Sequence, residues 1–469
     1  MVGQKPIKNG AVFLQINMLA VIAPLCLALD NGLGLTPPMG WRSWNLYGAN
    51  VNQKLMEAIM FGMVSRERTV DGVPTSLCDL GYCDVGLDDN WQKCGRYGKS
   101  HDTYHNAAGY PLVNTERFPK LQDMTALAHN LGLTAGFYFN NCICADHCTD
   151  ESCYRGDVGL LFEMGFDGVK LDNCGAQKDL SLWSKLINET GKPILIENCH
   201  WGLTVPRDEW CPWNMFRTSG DVRAAYGSVL RNLQTTVQWA KQGLSRPGCW
   251  AYPDMLEVGC EHGPGGQGDP GLSEAETRAH FGSWAIVSSP LVLSHDVTND
   301  RISDQIWSII ANPEVIQVNQ AWAGHSGSPF VQSRESVEHT WNEPVHTFGS
   351  HLVERTSSPS WEYFYKPLKP RGLADAVLLM NHGDSPADLR LNFTAVPSAT
   401  CTICHVRDLW IRKDLGVFQG GYVVKQLAAH DAAFLLITPA PVSGEMALDT
   451  RSWLAKRRQA AKQQKEHYH

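Results

Sequence analysis

The sequence predicts an α/β protein in which a (β/α)8 TIM barrel is followed by a C-terminal antiparallel β-sandwich domain. Three observations carry that expectation. Between about Leu35 and Asp296 a short apolar run, a polar or Gly-rich tip and a helical stretch recur eight times, and strands alternating with helices fold as a parallel sheet. The Gly-rich fingerprints that open nucleotide-binding sheets are missing from the corresponding turns. After about Ala323 the composition changes, and short alternating segments replace the helical ones.

Residues 1–29 read as a secretory signal. Lys5 and Lys8 precede an apolar stretch from Ala11 to Ala28, and Cys26-Leu27-Ala28 offers a cleavage site before Asp30. An uncleaved anchor is the rival, weakened by Gln15 and Asn17 within the stretch. The mature chain is then expected to carry no membrane span and to act in the secretory pathway, secreted or in a lysosome or vacuole. Residues 30–325 form the barrel. Its strand-like runs are Pro38–Trp41, Tyr82–Asp89, Leu133–Phe139, Gly168–Asp172, Pro193–Glu197, Met215–Thr218, Gly248–Ala251 and Ile286–Leu291. Between them, Leu121–Leu131 and Ser181–Asn188 have helical character, as does Arg223–Leu233. Residues 326–445 form the β domain. It opens on a stretch, His325–Ser360, rich in Ser, His, Glu and Pro, and continues through the alternating runs Tyr363–Tyr365, Ala376–Met380, Leu389–Phe393 and Ala433–Ile437. Residues 446–469 are a tail with six basic residues from Arg451 onward against Glu466. It reads as a solvated helix or as disorder.

Composition narrows the function. Of 469 residues, 43% are hydrophobic and 19% charged, which excludes disordered, collagenous and coiled-coil chains. With 40 basic against 48 acidic residues the net charge is −8, so no nucleic-acid partner is expected. Fourteen cysteines remain once Cys26 is removed, an even number that fits disulfides in an oxidising compartment. A zinc site at Cys142-x-Cys144-x-x-His147-Cys148, with Cys153 following, ranks below that reading, and no metal is expected. Asn188 and Asn392 begin glycosylation sequons.

Polar residues at strand ends carry the chemistry, because a barrel of this kind builds its active site there. In Gly168–Asp172, Val169 and Leu171 suit the outer helices, which turns Lys170 and Asp172 into the barrel mouth. They could be a simple ion pair; alternatively Lys170 holds a substrate hydroxyl while an ionised Asp172 attacks carbon. Retaining sugar hydrolysis needs a second carboxyl about 5–5.5 Å from the nucleophile. Asp88, Asp89, Asp221, Asp254 and Asp296 are the candidates, and spacing alone does not choose among them. Asp221 could equally cap the helix that follows it. Trp41, Trp44, Trp91, Trp201 and Trp250 fall at or near strand ends, where indole faces suit the C–H faces of sugars as well as they suit a core.

At these residues the chain resembles glycoside hydrolase family 27, which holds α-galactosidases and α-N-acetylgalactosaminidases. The resemblance rests on Leu35–Trp41 with Ser43-Trp44-Asn45, Asp88-Asp89-Asn90-Trp91, Gly136-Phe137-Tyr138, Lys170–Cys174, Arg217 with Asp221, Pro253–Leu256, Ser289-Pro290-Leu291 and Val406–Trp410. It implies the same barrel and β domain, and a double displacement that retains configuration. Asp172 matches the nucleophile and Asp221 the acid/base, with an acidic optimum and no cofactor. Asp88 and Asp89 match the pair that meets the 4- and 6-hydroxyls of galactose, Lys170 a further hydroxyl ligand, Arg217 a residue near the 2-position, and Tyr138 and Trp44 the walls. Cys174 and Cys199 match half-cystines, with Cys142, Cys144 and Cys211 as candidate partners. His200 in Cys199-His200-Trp201 departs from the family's Glu or Ser at a position facing carbon 2, and Ala251-Tyr252 replaces the usual Asn-Asp. Expected partners are galactose-containing oligosaccharides, glycolipids or polysaccharides, and a second copy in a homodimer. His200 leaves α-N-acetylgalactosaminides and β-L-arabinopyranosides as alternative substrates. A catalytically silent sugar-binding protein is the alternative of another class, and retention of Asp172 and Asp221 argues against it.

Overall fold

The computed structural model describes residues 29–95, 104–263, 271–344, 351–440 and 450–467. The expected signal segment, with its cleavage site, lies outside the described residues apart from Leu29. Eight parallel strands form one curled sheet: β1 (Met39–Arg42), β2 (Asp84–Gly86), β3 (Thr134–Phe139), β4 (Gly168–Asp172), β5 (Leu195–Cys199), β6 (Met215–Arg217), β7 (Trp250–Tyr252) and β8 (Leu291–Leu293). They pair in chain order from β1 to β7, and β8 returns to β1 with Met39 opposite Leu291. Across the seam between β7 and β8 the Leu256 N–H donates to the Val292 carbonyl at 2.8 Å.

Local sequence explains where the barrel helices start. Asn52 accepts from the Leu55 N–H to cap α1 (Gln53–Val64), and α2 (Leu121–Asn130) and α3 (Glu151–Glu163) follow. Asp179 caps α4 (Leu180–Glu189) by accepting from two backbone N–H groups. After α5 (Tyr226–Gln234), Ser273 and Glu276 form a capping box at α6 (Glu274–Ile286). Asn299 caps α7 (Asp300–Ile310), and Asn312 caps α8 (Pro313–Gln320), whose proline stands at the first helical position.

Two expectations along the barrel need correction. The run Ile286–Leu291 is not one strand: Trp284-Ala285-Ile286 closes the buried helix α6, Ser288 turns the chain at φ 55°, and β8 begins only at Leu291. A continuous apolar run does not distinguish a buried strand from a buried helix end. Helical structure after β6 starts at Tyr226 rather than Arg223, so Asp221 lies too far upstream to cap it.

The second domain is antiparallel. Its strands are β9 (Ser328–Gln332), β10 (Ser336–Pro344), β11 (His351–Pro359), β12 (Trp361–Lys369), β13 (Ala374–Asn381), β14 (Ala387–Asn392), β15 (Ile403–Asp408), β16 (Lys413–Gln419), β17 (Gly421–Leu427) and β18 (Ala432–Pro439). The main sheet runs β9-β12-β13-β18-β15-β16, with β10-β11 and β14-β17 as separate pairs. The hairpin β10-β11 arises in the Ser/His/Glu/Pro-rich stretch to which the sequence assigned no element. Its packed face is His339 and Trp341 rather than aliphatic residues, which leaves no apolar alternation to read. Charged forks join the domains: Arg278 to Asp431 at 3.0 and 2.7 Å, and Arg407 to Glu314 at 2.9 and 2.8 Å.

The tail takes the helical one of its two expected forms, but docked rather than solvated. Residues Thr450–His467 form a helix, α9, that docks on the barrel through buried Leu454, with Arg457 donating to Gln320 and Arg458 to Thr75. Two apolar residues among so many charges, Trp453 and Leu454, are enough to seat it. No described helix is long and apolar enough to cross a membrane.

Six disulfides join Cys78 to Cys83, Cys94 to Cys144, Cys142 to Cys174, Cys148 to Cys153, Cys211 to Cys249 and Cys401 to Cys404. Every cysteine of the zinc-like run is therefore bridged, and bridged sulfurs are not thiolate ligands. Cys199 is corrected: it is a buried thiol, because Cys142, Cys144 and Cys211 are all taken by other cysteines.

Candidate active site

The C-terminal ends of β1 to β7 bring charged side chains of both signs into one buried cluster. Lys170 on β4 donates to Asp88, just beyond β2, at 2.9 Å, with both side chains at most 5% exposed. Arg42 at the end of β1 pairs with Glu197 of β5 at 2.9 Å. Arg217, ending β6, reaches Asp254 beyond β7 at 2.9 Å and Asp221 at 3.0 Å. Buried charges persist only when paired in this way, and removing one partner of such a pair strands the other.

Asp172 ends β4. One carboxylate oxygen accepts from the Tyr138 hydroxyl at 2.7 Å and the other from the Asn173 N–H at 2.7 Å. Its carbonyl accepts from the Asn140 side chain, and the Cys142–Cys174 bridge lies alongside, with the Cys142 Sγ 3.9 Å from the carboxylate. Burial pushes the Asp172 pKa up to about 6, against the pull of Lys170 and of the Tyr138 hydroxyl, and the negative charge of Asp221 adds to the rise. Asp221 is the more open carboxylate, with half of its side chain exposed. Desolvation by the surrounding protein acts to raise it too, but Arg217, Lys170 and Arg223 together hold it below the usual carboxylate range. The two acids therefore differ in environment and feel one another's charge. Asp254 is raised by burial to about 6 despite Arg217, and the charge of Asp221 adds to the rise.

Asp88 and Asp89 take separate tasks. Asp89 is saturated: one oxygen accepts from the Gln92 amide and the Asn90 N–H, the other from the Cys142 and Ile143 N–H groups at 3.0 Å each. It pins the turn that carries the Cys142–Cys174 bridge. Asp88 faces Lys170, and burial alone would lower the lysine's pKa, but Asp88 and the other carboxylates hold it above the ordinary value.

The tryptophans divide. Trp41, Trp91 and Trp250 are fully buried and donate to the backbone carbonyls of His295, Tyr138 and Gly34; they are core. Trp44 and Trp201 stay half-buried. His200 is buried, its Nδ1 2.8 Å from the Thr204 hydroxyl, and burial, reinforced by Lys178, lowers its pKa to about 4. The imidazole is therefore neutral above about pH 4. Asp296 bonds Thr298 and stands outside the cluster.

Sequence reasoning left Asp254 as one candidate among five and passed over Arg42 and Glu197. Their signal was present: each is a charge within or next to a barrel strand, where apolar residues are the rule. Cys199 was placed beside the site, and its sulfur accepts from Arg217 at 3.5 Å.

Residues 36–321 match the family model described as alpha galactosidase A, and residues 358–437 match the model of an alpha galactosidase C-terminal beta sandwich domain. An alpha-galactosidase of Oryza sativa subsp. japonica is 29% identical over 423 residues, 88% of this chain and 87% of that one. A probable alpha-galactosidase of Dictyostelium discoideum is 29% identical over 439 residues, 90% of this chain and 98% of that one. The crystal structure of alpha-galactosidase I from Mortierella vinacea superposes with a TM-score of 0.67 at 26% identity, covering 88% of this chain and all of the other.

Proposed function

Since this chain belongs to glycoside hydrolase family 27, the family of alpha galactosidase A, we propose that it is a retaining α-galactosidase in which Asp172 is the nucleophile and Asp221 the acid/base. The observation that carries the assignment is the contrast between the two carboxylates. Asp172 is fixed by Tyr138 and Asn173 at the base of the cluster, as a nucleophile aimed at one carbon must be. Asp221 is half open, as a group that meets both a leaving group and a water must be.

Terminal α-galactose enters with its anomeric carbon over Asp172. The Asp172 oxygen forms a bond to that carbon as the glycosidic bond breaks, and Asp221 passes its proton to the departing oxygen. Asp221, now ionised, takes a proton from water, which attacks the anomeric carbon and releases galactose with Asp172 restored. Asp88 and Lys170 grip ring hydroxyls from one side, with Trp44, Tyr138 and Trp201 as walls. Arg217 holds Asp221 and, with neutral His200, stands toward carbon 2. A neutral imidazole there serves a 2-hydroxyl and gives no dedicated amide pocket, which favours galactose over N-acetylgalactosamine.

Galactose-containing oligosaccharides, glycolipids or polysaccharides are the proposed substrates. Action in the secretory pathway, in the medium or a vacuole, is part of the same reading and is supported by the six disulfides. A homodimer is proposed too, and the sizing of purified protein tests it. The substrate is tested on nitrophenyl α-galactoside, α-N-acetylgalactosaminide and β-L-arabinopyranoside. Cleavage of the first, absent in Asp172→Asn, is expected; preference for either other sugar would overturn the substrate, and no cleavage of any would overturn the enzyme.

A further inference from the structure

The hairpin β10-β11 belongs to the second domain, yet it packs on the barrel helix α5, directly after the loop that carries Asp221. All but its last two residues fall between the two stretches matched by the family models. Three contacts join it to the site. Trp341 of β10 is buried, and the Arg231 guanidinium of α5 lies 4.8 Å over its ring. Glu343 and Glu354, at neighbouring positions of the two strands, approach the same guanidinium at 3.8 and 3.9 Å. That guanidinium donates, from the Nη2 that faces Glu343, to the main-chain carbonyl of Asp221 at 3.3 Å.

The close approach is built into the sequence. A Cβ on Gly227 of α5 would lie 2.8 Å from the His339 Cβ and 2.8 Å from the Trp341 ring, so only glycine lets the hairpin seat at this depth. One turn further along the helix, Arg231 occupies the same face. Its long stem and planar fork allow one side to stack on indole while the other donates to a carbonyl. Asn232 donates to the Gly220 carbonyl at 3.0 Å, so two successive residues of α5 hold the backbone of the Asp221 loop.

We propose that the β10-β11 hairpin is a working part of the active site, acting through Arg231 as a positioning residue that keeps Asp221 in line with the leaving-group oxygen. The inference rests on the acid/base reading of Asp221. Arg217 grips the carboxylate and Arg231 the main chain, and losing the second leaves the acid present but misaligned.

A misaligned general acid has a signature that general loosening lacks. Departure of nitrophenolate needs little protonation, whereas departure of an alkoxide needs a great deal. kcat/KM reports the step in which the leaving group departs. The test compares kcat/KM for 4-nitrophenyl and methyl α-galactosides in Arg231→Met, Trp341→Leu, Gly227→Ala and the double variant Glu343→Gln with Glu354→Gln, with Asp221→Ala and Arg231→Lys alongside. We expect Arg231→Met and Trp341→Leu to lose about tenfold to a hundredfold on the methyl glycoside, part of what a general acid supplies, and only about threefold on the nitrophenyl one. Arg231→Lys, which keeps a cation over Trp341 and one donor, should recover part of the loss. Equal losses on both substrates, or none, with Asp221→Ala still selective, would overturn the hairpin's role alone. A non-selective Asp221→Ala would overturn the acid/base reading and the hairpin's role with it. Should the larger substitutions fail to fold, the paired Glu→Gln variant, at partly exposed side chains, decides between the same outcomes.

Discussion

In the resting site the electrostatics favour a proton on Asp172 over Asp221, the opposite of what the proposed reaction uses. With Asp172 and Asp254 both raised to about 6 and Asp221 held low by Arg217, a proton in the resting site sits on Asp172 or Asp254, while the proposed turnover requires it on Asp221. Neighbouring carboxylates share protons, so the rate follows the once-protonated cluster, of which the productive tautomer is a fixed share. That population is lost as pH rises through about 6, and it is lost again at low pH when Asp221 also protonates. The kcat/KM profile is therefore expected to be a bell with its alkaline limb near 6 and its maximum below it; a maximum at or above neutrality would contradict the assignment. Lys170 yields a second prediction at this scale. Lys170→Met leaves Asp88 buried without its cation and should cost about 3–5 kcal/mol of stability. Adding Asp88→Asn should return much of it, as read by urea unfolding of the single and double variants. At residue scale the sequence displayed Asp172 and Lys170 plainly, since two charges two apart in an otherwise apolar strand demand a reason. It did not display Arg231, a surface-type residue on an amphipathic helix whose importance comes from what packs over it. It could not exclude a bridge to Cys199, because which sulfurs meet depends on where loops far apart in the chain settle.

Among the elements, strand ends decide function and helix ends decide where strands can be. The eight runs were legible because buried parallel strands are short, apolar and punctuated; seven of them overlap the observed strands over two residues or more, and the eighth meets β8 only at Leu291. The eighth slipped because α6 ends in residues as apolar as any strand. The hairpin β10-β11 was invisible for the opposite reason: its inward residues are His339 and Trp341, and its length comes from pairing rather than hydrophobic pattern. The basic tail carried too many charges to look like a docked element, yet α9 buries Leu454 against the barrel. Deleting residues 450–469 should remove about 2 kcal/mol, the order of one buried leucine, and lower Tm by a few degrees. It should leave kcat/KM unchanged, since the tail bonds Thr75 and Gln320 rather than any residue of the site. A loss of activity without loss of stability would refute that division.

For the whole molecule, the charge cluster at the barrel mouth explains why the fold tolerates so many buried ions. They pair as Arg42 with Glu197, Lys170 with Asp88, and Arg217 with both Asp254 and Asp221, and each pairing fixes a side chain that the proposed chemistry needs in place. Preorganisation of this kind acts only on the state in which charge develops, which is why it favours turnover over binding. The second domain seats a hairpin beside the loop of Asp221, the proposed acid/base. The architecture could be anticipated from residue order, as could the two carboxylates proposed as the catalytic pair; the meeting of the domains could not, because it depends on two segments more than a hundred residues apart touching at one glycine.

The central claim is that Asp172 forms a covalent bond to the sugar. Incubating the enzyme with an activated, fluorinated α-galactosyl donor that slows hydrolysis of the intermediate, then digesting it and weighing the fragments, tests this directly. The peptide containing Asp172 should carry one sugar, and the label should vanish in Asp172→Asn. A sugar on another carboxylate, or inactivation with no label, would contradict it.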